Sequence, residues 1–76
     1  MQPIQCKMAR TALNLGVRGL ADLAGVSPDT IARIERGDQT VKDKTISEIK
    51  SVLEKAGVIF IDENGEGAGV RLKKTA

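Results

Sequence analysis

Few residues in this chain could make or break a covalent bond. There is no histidine and one cysteine, Cys6, so neither a nucleophile–base pair nor a Cys/His zinc framework can be assembled. Cys6 has only Lys7 beside it as an electropositive neighbour and reads as a small, partly buried hydrophobe, not a redox sensor. The run Gly65-Glu66-Gly67-Ala68-Gly69 is followed by neither a Lys-Ser/Thr pair nor a helix, which separates it from a phosphate-binding P-loop. Asp62 and Glu63 flank a turn signal, where carboxylates stay solvated. No enzyme site emerges, and no cofactor or metal ion is implied. What remains is the chemistry of recognition. Ser27, Asp29, Thr30, Arg33 and Arg36 crowd one short segment, offering hydroxyls, a carboxylate and two planar guanidinium forks.

The elements that position these groups lie between Leu20 and Gly37. Two short segments of helical periodicity flank a break at Gly25-Val26-Ser27. Leu20, Ala21 and Ala24 share one face of the first segment, and Ile31 and Ile34 share one face of the second. Gly25 suits a left-handed helix end, where a Cβ would clash. Ser27 suits an N-cap, Pro28 the first helical position and Asp29 the positive end of the helix dipole. Gly37 stops the second segment after Arg36. Helix, three-residue turn, capped helix and glycine stop make the sequence form of a helix-turn-helix. An αα-hairpin that binds only protein is the competing reading, and it leaves Ser27, Thr30, Arg33 and Arg36 as incidental surface.

The pattern L-A-x-x-x-G-V-S-x-x-x-I-x-x-x-E-x-G resembles the XRE family of Cro/CI-type phage-repressor helix-turn-helix proteins. The likeness spans Ile4 to Gly57 and is most specific over residues 20–37. It implies a mainly α, compact four-helix domain whose helix 28–36 enters the major groove of DNA. Carried over residue by residue, the base contacts are Ser27, Asp29, Thr30 and Arg33, with Pro28 in a place often held by a polar reader. The fork of Arg33 matches O6 and N7 of guanine, Thr30 can meet a thymine methyl or a phosphate, and Asp29 either accepts from cytosine N4 or supports the helix cap. Arg36, Gln39, Thr40 and Lys42 follow the helix where the family grips phosphates, and Arg18 adds a charge nearby. The family's glutamate–arginine pair falls on Glu35 and Arg10, an ion pair fixing the first helix against the third. One departure stands out. Where relatives carry Ser or Thr and then Gln, this chain has Gly16-Val17, so a side-chain phosphate contact is lost while the backbone N–H groups at the helix start remain.

Seventy-six residues make one small domain that gains from self-association. Phe60 is the sole aromatic residue, so the core must be built from Leu, Ile, Val and Ala. A net charge of +2 is too small for a non-specific DNA coat, and a local basic surface is required instead. No apolar run reaches a membrane span and no signal-peptide core opens the chain, so a cytoplasmic protein with no membrane partner is expected, and the resemblance implies a bacterial or phage origin. Ile4, Met8, Ala12 and Leu15 give the first helix a stripe, with Cys6 off it, and Ile46, Ile49, Val52, Leu53 and Ala56 give a fourth helix its apolar face. Residues 1–57 therefore form the DNA-binding region, and residues 58–76 a hairpin and basic tail of the same domain.

Asn64-Gly65 is a two-residue hairpin signal. Pairing across it sets Ile59 opposite Val70 and Ile61 opposite Ala68, with Ile59, Ile61, Ala68, Val70 and Leu72 on one face and Val58 and Phe60 on the other. Ile59, Phe60, Ile61, Val70 and Leu72 thus make the hairpin a candidate dimerisation element, with folding back on the fourth helix as the alternative. The resulting expectation is a homodimeric repressor on a palindromic double-stranded operator. The alternative function is an antitoxin-like or other interaction module whose hairpin binds a toxin or another protein.

Overall fold

The computed structural model describes residues 1–74. Four helices come first: α1 (Pro3–Ala12), α2 (Val17–Ala24), α3 (Pro28–Glu35) and α4 (Asp43–Lys55). Two antiparallel strands follow, β1 (Val58–Ile61) and β2 (Gly69–Leu72). The fold is mainly α with a C-terminal hairpin. Helix ends obey their local chemistry. Gly25 closes α2 at φ 69°, and Ser27 Oγ accepts the Thr30 N–H at 3.2 Å to cap α3. Gly19, a weak helix former inside α2, leaves room for Leu15, whose Cδ2 would lie only 3.2 Å from an added Cβ.

The core is aliphatic. Leu20, Ile31, Ile49, Leu53 and Cys6 are its largest fully buried side chains, joined by Ala9, Ala21, Ile34 and Val58. On α1 the face turned inward is Gln5, Cys6 and Ala9, not the Ile4–Met8–Ala12 stripe. Ile4 is half exposed, and Ile4, Met8 and Ala12 line an open groove beside Val70 of β2. Two of these three, Cys6 and Ala9, are small, and α1 packs against both α3 and the hairpin. Cys6 is accordingly fully buried.

The hairpin register differs by one residue from the pairing that Asn64-Gly65 suggests. Val58 faces Leu72, Ile59 faces Arg71, Phe60 faces Val70 and Ile61 faces Gly69. The connection is a seven-residue loop, 62–68, in which the Asn64 N–H donates to the Glu66 carbonyl at 3.2 Å and Gly65 has φ 81°. A slip of one residue exchanges the two faces of a strand. Val58, Phe60, Val70 and Leu72 therefore share the inner face, and Ile59 and Ile61 lie on the outer one with Arg71. The five candidate dimerisation residues do not form a single patch. Folding back occurs: β1 packs on α4, β2 packs on α1, and Val58 enters the core. Lys50 of α4 sits over the Phe60 ring at 5.5 Å. The basic tail is not free from its start, since the Lys73 N–H donates to the Gly57 carbonyl at 2.6 Å. Lys74 is exposed, and Thr75 and Ala76, which end that tail, lie outside the described residues.

Gln5 fastens the hairpin to α1. Its Nε2 donates to the carbonyls of Ile61 (3.1 Å) and Gly69 (3.0 Å), one from each strand. Its Oε1 accepts the Gln2 N–H at 2.8 Å, closing the start of α1. At 3% exposure this amide is buried, and its hydrogen-bonding capacity is almost fully used.

A second polar tie joins α1 to α3. Arg10 Nε donates to Glu35 Oε2 at 2.7 Å and its Nη2 to Oε1 at 3.0 Å, a bidentate pair with side chains 15% and 12% exposed. Arg10 Nη1 also reaches the Leu15 carbonyl at 3.4 Å. The Cys6 thiol is pushed up to about 12, mainly by burial and then by the charge and hydrogen bonding of Glu35, with Arg10 opposing.

Two outcomes are expected. Glu35→Ala, which strands a largely buried guanidinium, lowers unfolding free energy by more than about 1 kcal/mol, and adding Arg10→Met recovers part of the loss; chemical denaturation of the three proteins measures both. The native thiol titrates above its ordinary value of 9.0, so the folded state holds a proton that the unfolded state has released. The stability supplied by the neutral thiol is full below pH 9 and falls as pH rises toward about 12. Cys6→Ala should therefore flatten the alkaline arm of the stability–pH curve relative to the native chain.

Candidate nucleic-acid interface

Helix α3 turns Ile31 and Ile34 into the core, and its 3.6-residue period sends Asp29, Arg33 and Arg36 to the opposite side. Ser27, Asp29, Arg33 and Arg36 are exposed and Thr30 is partly so. The four candidate base contacts are thus brought together on one end and one face of α3. They also bond to each other. Arg33 Nε donates to Asp29 Oδ2 at 2.9 Å across one helical turn, and Ser27 Oγ and Thr30 Oγ1 share a hydrogen bond at 3.0 Å. The first pair is exposed, so its contribution to stability is small, but it gives the Arg33 fork a preferred direction. Asp29 lies four residues before Arg33, a spacing that already favours such a pair. Sequence reasoning assigned the two residues separate roles.

The residues after α3 form a tight polar turn. The Asp38 N–H donates to the Arg33 carbonyl at 2.9 Å, and Asp38 Oδ1 accepts both the Thr40 N–H (2.9 Å) and the Thr40 hydroxyl (2.6 Å). Those bonds, the Thr40 hydroxyl first, hold the Asp38 carboxyl below its ordinary range, with Arg33 and Arg36 assisting. Thr40 therefore spends both its donors on Asp38. In the free chain it shapes the turn. Asp38, which the sequence reading passed over, organises this turn through its Asx geometry. Arg36 Nη2 lies 4.0 Å from Asp38 Oδ2 and keeps most of its guanidinium in solvent.

Gln39 and Lys42 are exposed beyond the turn, and Lys42 is the N-cap of α4. Neither α2, whose N-cap is Gly16, nor α4 has a side-chain cap, so both present unsatisfied N–H groups at their starts. Arg18 is exposed in the first turn of α2. Uncapped helix starts beside Arg18 and Lys42 combine partial positive charge with full positive charge, the arrangement that suits phosphate oxygens. Arg10 and Glu35 are absent from this surface; their role is to join α1 to α3.

A short turn, a capped helix carrying outward arginine and hydroxyl groups, and basic residues at neighbouring helix starts define a helix-turn-helix protein. A helix-turn-helix family model matches residues 7–57, most of the chain, and the chain belongs to the Cro/CI-type (XRE) family of DNA-binding transcription regulators. That family is regulatory and not enzymatic. No curated protein matches the chain. Among the described residues no helix is long and apolar enough to cross a membrane.

Proposed function

We propose that this chain is a sequence-specific repressor that binds double-stranded DNA as a homodimer on a palindromic operator. The carrying observation is the Asp29–Arg33 pair on the outward face of a capped helix. Asp29 restrains the guanidinium, and the restrained fork meets O6 and N7 of a guanine with less rotamer entropy left to lose. Thr30 and Ser27, at the start of the same helix, lie where a thymine methyl or a phosphate is met. Arg18, Arg36, Gln39 and Lys42 supply backbone contacts, which set register and carry no sequence information. Val17 replaces a polar side chain at the start of α2, so the grip there falls to the open N–H groups and Arg18. Repression by occupancy is the mode favoured, because a helix-turn-helix seated on a promoter blocks polymerase with no further activity. A two-fold dimer sets its two α3 helices about 34 Å apart, one turn of DNA.

Selection from random duplex DNA, followed from low to physiological salt, tests this reading. A palindromic consensus whose binding survives physiological salt supports it; weak binding that ignores sequence and vanishes with salt defeats it. Arg33→Ala should relax preference at one base pair per half-site at a cost of about 1–3 kcal/mol there. Equal loss on every sequence would demote Arg33 to a phosphate contact. Lys42→Ala should weaken binding to all sequences alike and reduce the salt slope by about one per subunit. An unchanged slope removes Lys42 from the footprint.

A further inference from the structure

The cap of α3 leaves Asp29 free of capping duty. Ser27 Oγ takes the Thr30 N–H at 3.2 Å and shares a hydrogen bond with the Thr30 hydroxyl at 3.0 Å, while Asp29 stands at the second helical position. Its side chain is 65% exposed, and Oδ2 lies 2.9 Å from Arg33 Nε. An exposed ion pair of this kind adds little to the stability of the fold. On a surface that meets phosphates, a bare carboxylate also opposes binding unless a donor meets it. The pair therefore has a meaning for recognition that it lacks for folding.

Its geometry gives each partner a free part. Closest approach at Nε sets the carboxylate beside the stem of the guanidinium and leaves the terminal edge, Nη1 and Nη2, to a base. Oδ1 is the carboxylate oxygen turned from that contact. We propose that Asp29 and Arg33 act as one reading unit for a two-base-pair step. Arg33 donates from Nη1 and Nη2 to O6 and N7 of a guanine, and Asp29 Oδ1 accepts from N4 of a cytosine in the adjoining pair. Side chains in contact reach neighbouring pairs because these are stacked about 3.4 Å apart. Cytosine is singled out by charge. Guanine O6 and thymine O4 would each set a carbonyl against the carboxylate, and adenine N6 is flanked by the N7 acceptor, whereas cytosine N4 has no acceptor beside it in the major groove. The assignment rests on the operator reading and deepens it: Asp29 is a specificity-determining residue, and the half-site holds a guanine beside a pair that presents a cytosine amine.

The experiment selects duplexes with the full native chain and then measures binding to the selected site carrying N4-methylcytosine. That base still pairs with guanine but sets a methyl group where the major-groove N–H stood. The half-site should contain the guanine–cytosine step, and the modified cytosine should weaken native binding about tenfold. Asp29→Ala should lose the cytosine preference and bind modified and unmodified duplexes within about twofold of each other. Asp29 is exposed, circular dichroism verifies the fold of the variant, and the modified base tests the native chain without any substitution. A carboxylate that only restrains Arg33 gives a different result: Asp29→Ala blurs the guanine preference, while native binding ignores the N4 methyl group. That result, or a consensus without the cytosine, overturns the proposal and leaves the operator reading standing. Binding with no sequence preference defeats both.

Discussion

The bidentate contact between Arg10 and Glu35 is the constraint on which the recognition surface depends. A core of Leu, Ile, Val, Ala and one cysteine supplies cohesion but little directional preference, because aliphatic side chains repack with small losses. A planar guanidinium on a carboxylate is far less tolerant of angle. Arg10 sits in the last turn of α1 and Glu35 ends α3, so their contact sets where the far end of α3 lies against α1. Cys6 completes the arrangement from below. Its thiol is small enough to let α1 approach, and Glu35 is available to it as a hydrogen-bond acceptor.

With α3 anchored at its C-terminal end by Glu35 and along its length by Ile31 and Ile34, its polar side is committed to solvent. That side is internally bonded through Asp29 with Arg33 and Ser27 with Thr30. On the proposed reading, binding DNA means exchanging contacts already made in the free protein, so the discrimination gained at a base pair is the surplus over those contacts. Thr40 shows the same economy in reverse. Both its donors serve Asp38, which shapes the turn after α3 in advance.

The helix-turn-helix was legible because its signals are local. Gly25, Ser27, Pro28 and the Ile31–Ile34 spacing each constrain a few neighbouring residues, and they agree. The hairpin was legible as an element and not as a register. Asn64-Gly65 favours a two-residue turn, yet the chain uses a seven-residue loop, because docking Val58 in the core and the Ile61 and Gly69 carbonyls on Gln5 outweighs turn preference. Gln5 itself was invisible for the same reason. A buried amide is explained only by acceptors 56 and 64 residues away. On α1, periodicity correctly found a stripe and misjudged what it faces, since the inner face went to Gln5, Cys6 and Ala9. Among the candidate recognition residues, types, positions and the i, i+4 spacing of Asp29 and Arg33 could be read, whereas the hydroxyl contact of Ser27 with Thr30 required coordinates.

The reach of Gln5 also bears on the order in which the molecule comes into being. The contacts within α2 and α3 and across their turn join near neighbours in sequence, so this pair can form early. Gln5 lies in the first turn of α1, but its carboxamide waits for two carbonyls, one from each strand of the hairpin. Until β2 is in place, that amide must stay hydrated, and α1 cannot be drawn fully against its neighbours without leaving a polar group stranded. The start and the end of the described chain are thus tied through one amide. The assembly that orients α3 becomes final only when the hairpin closes.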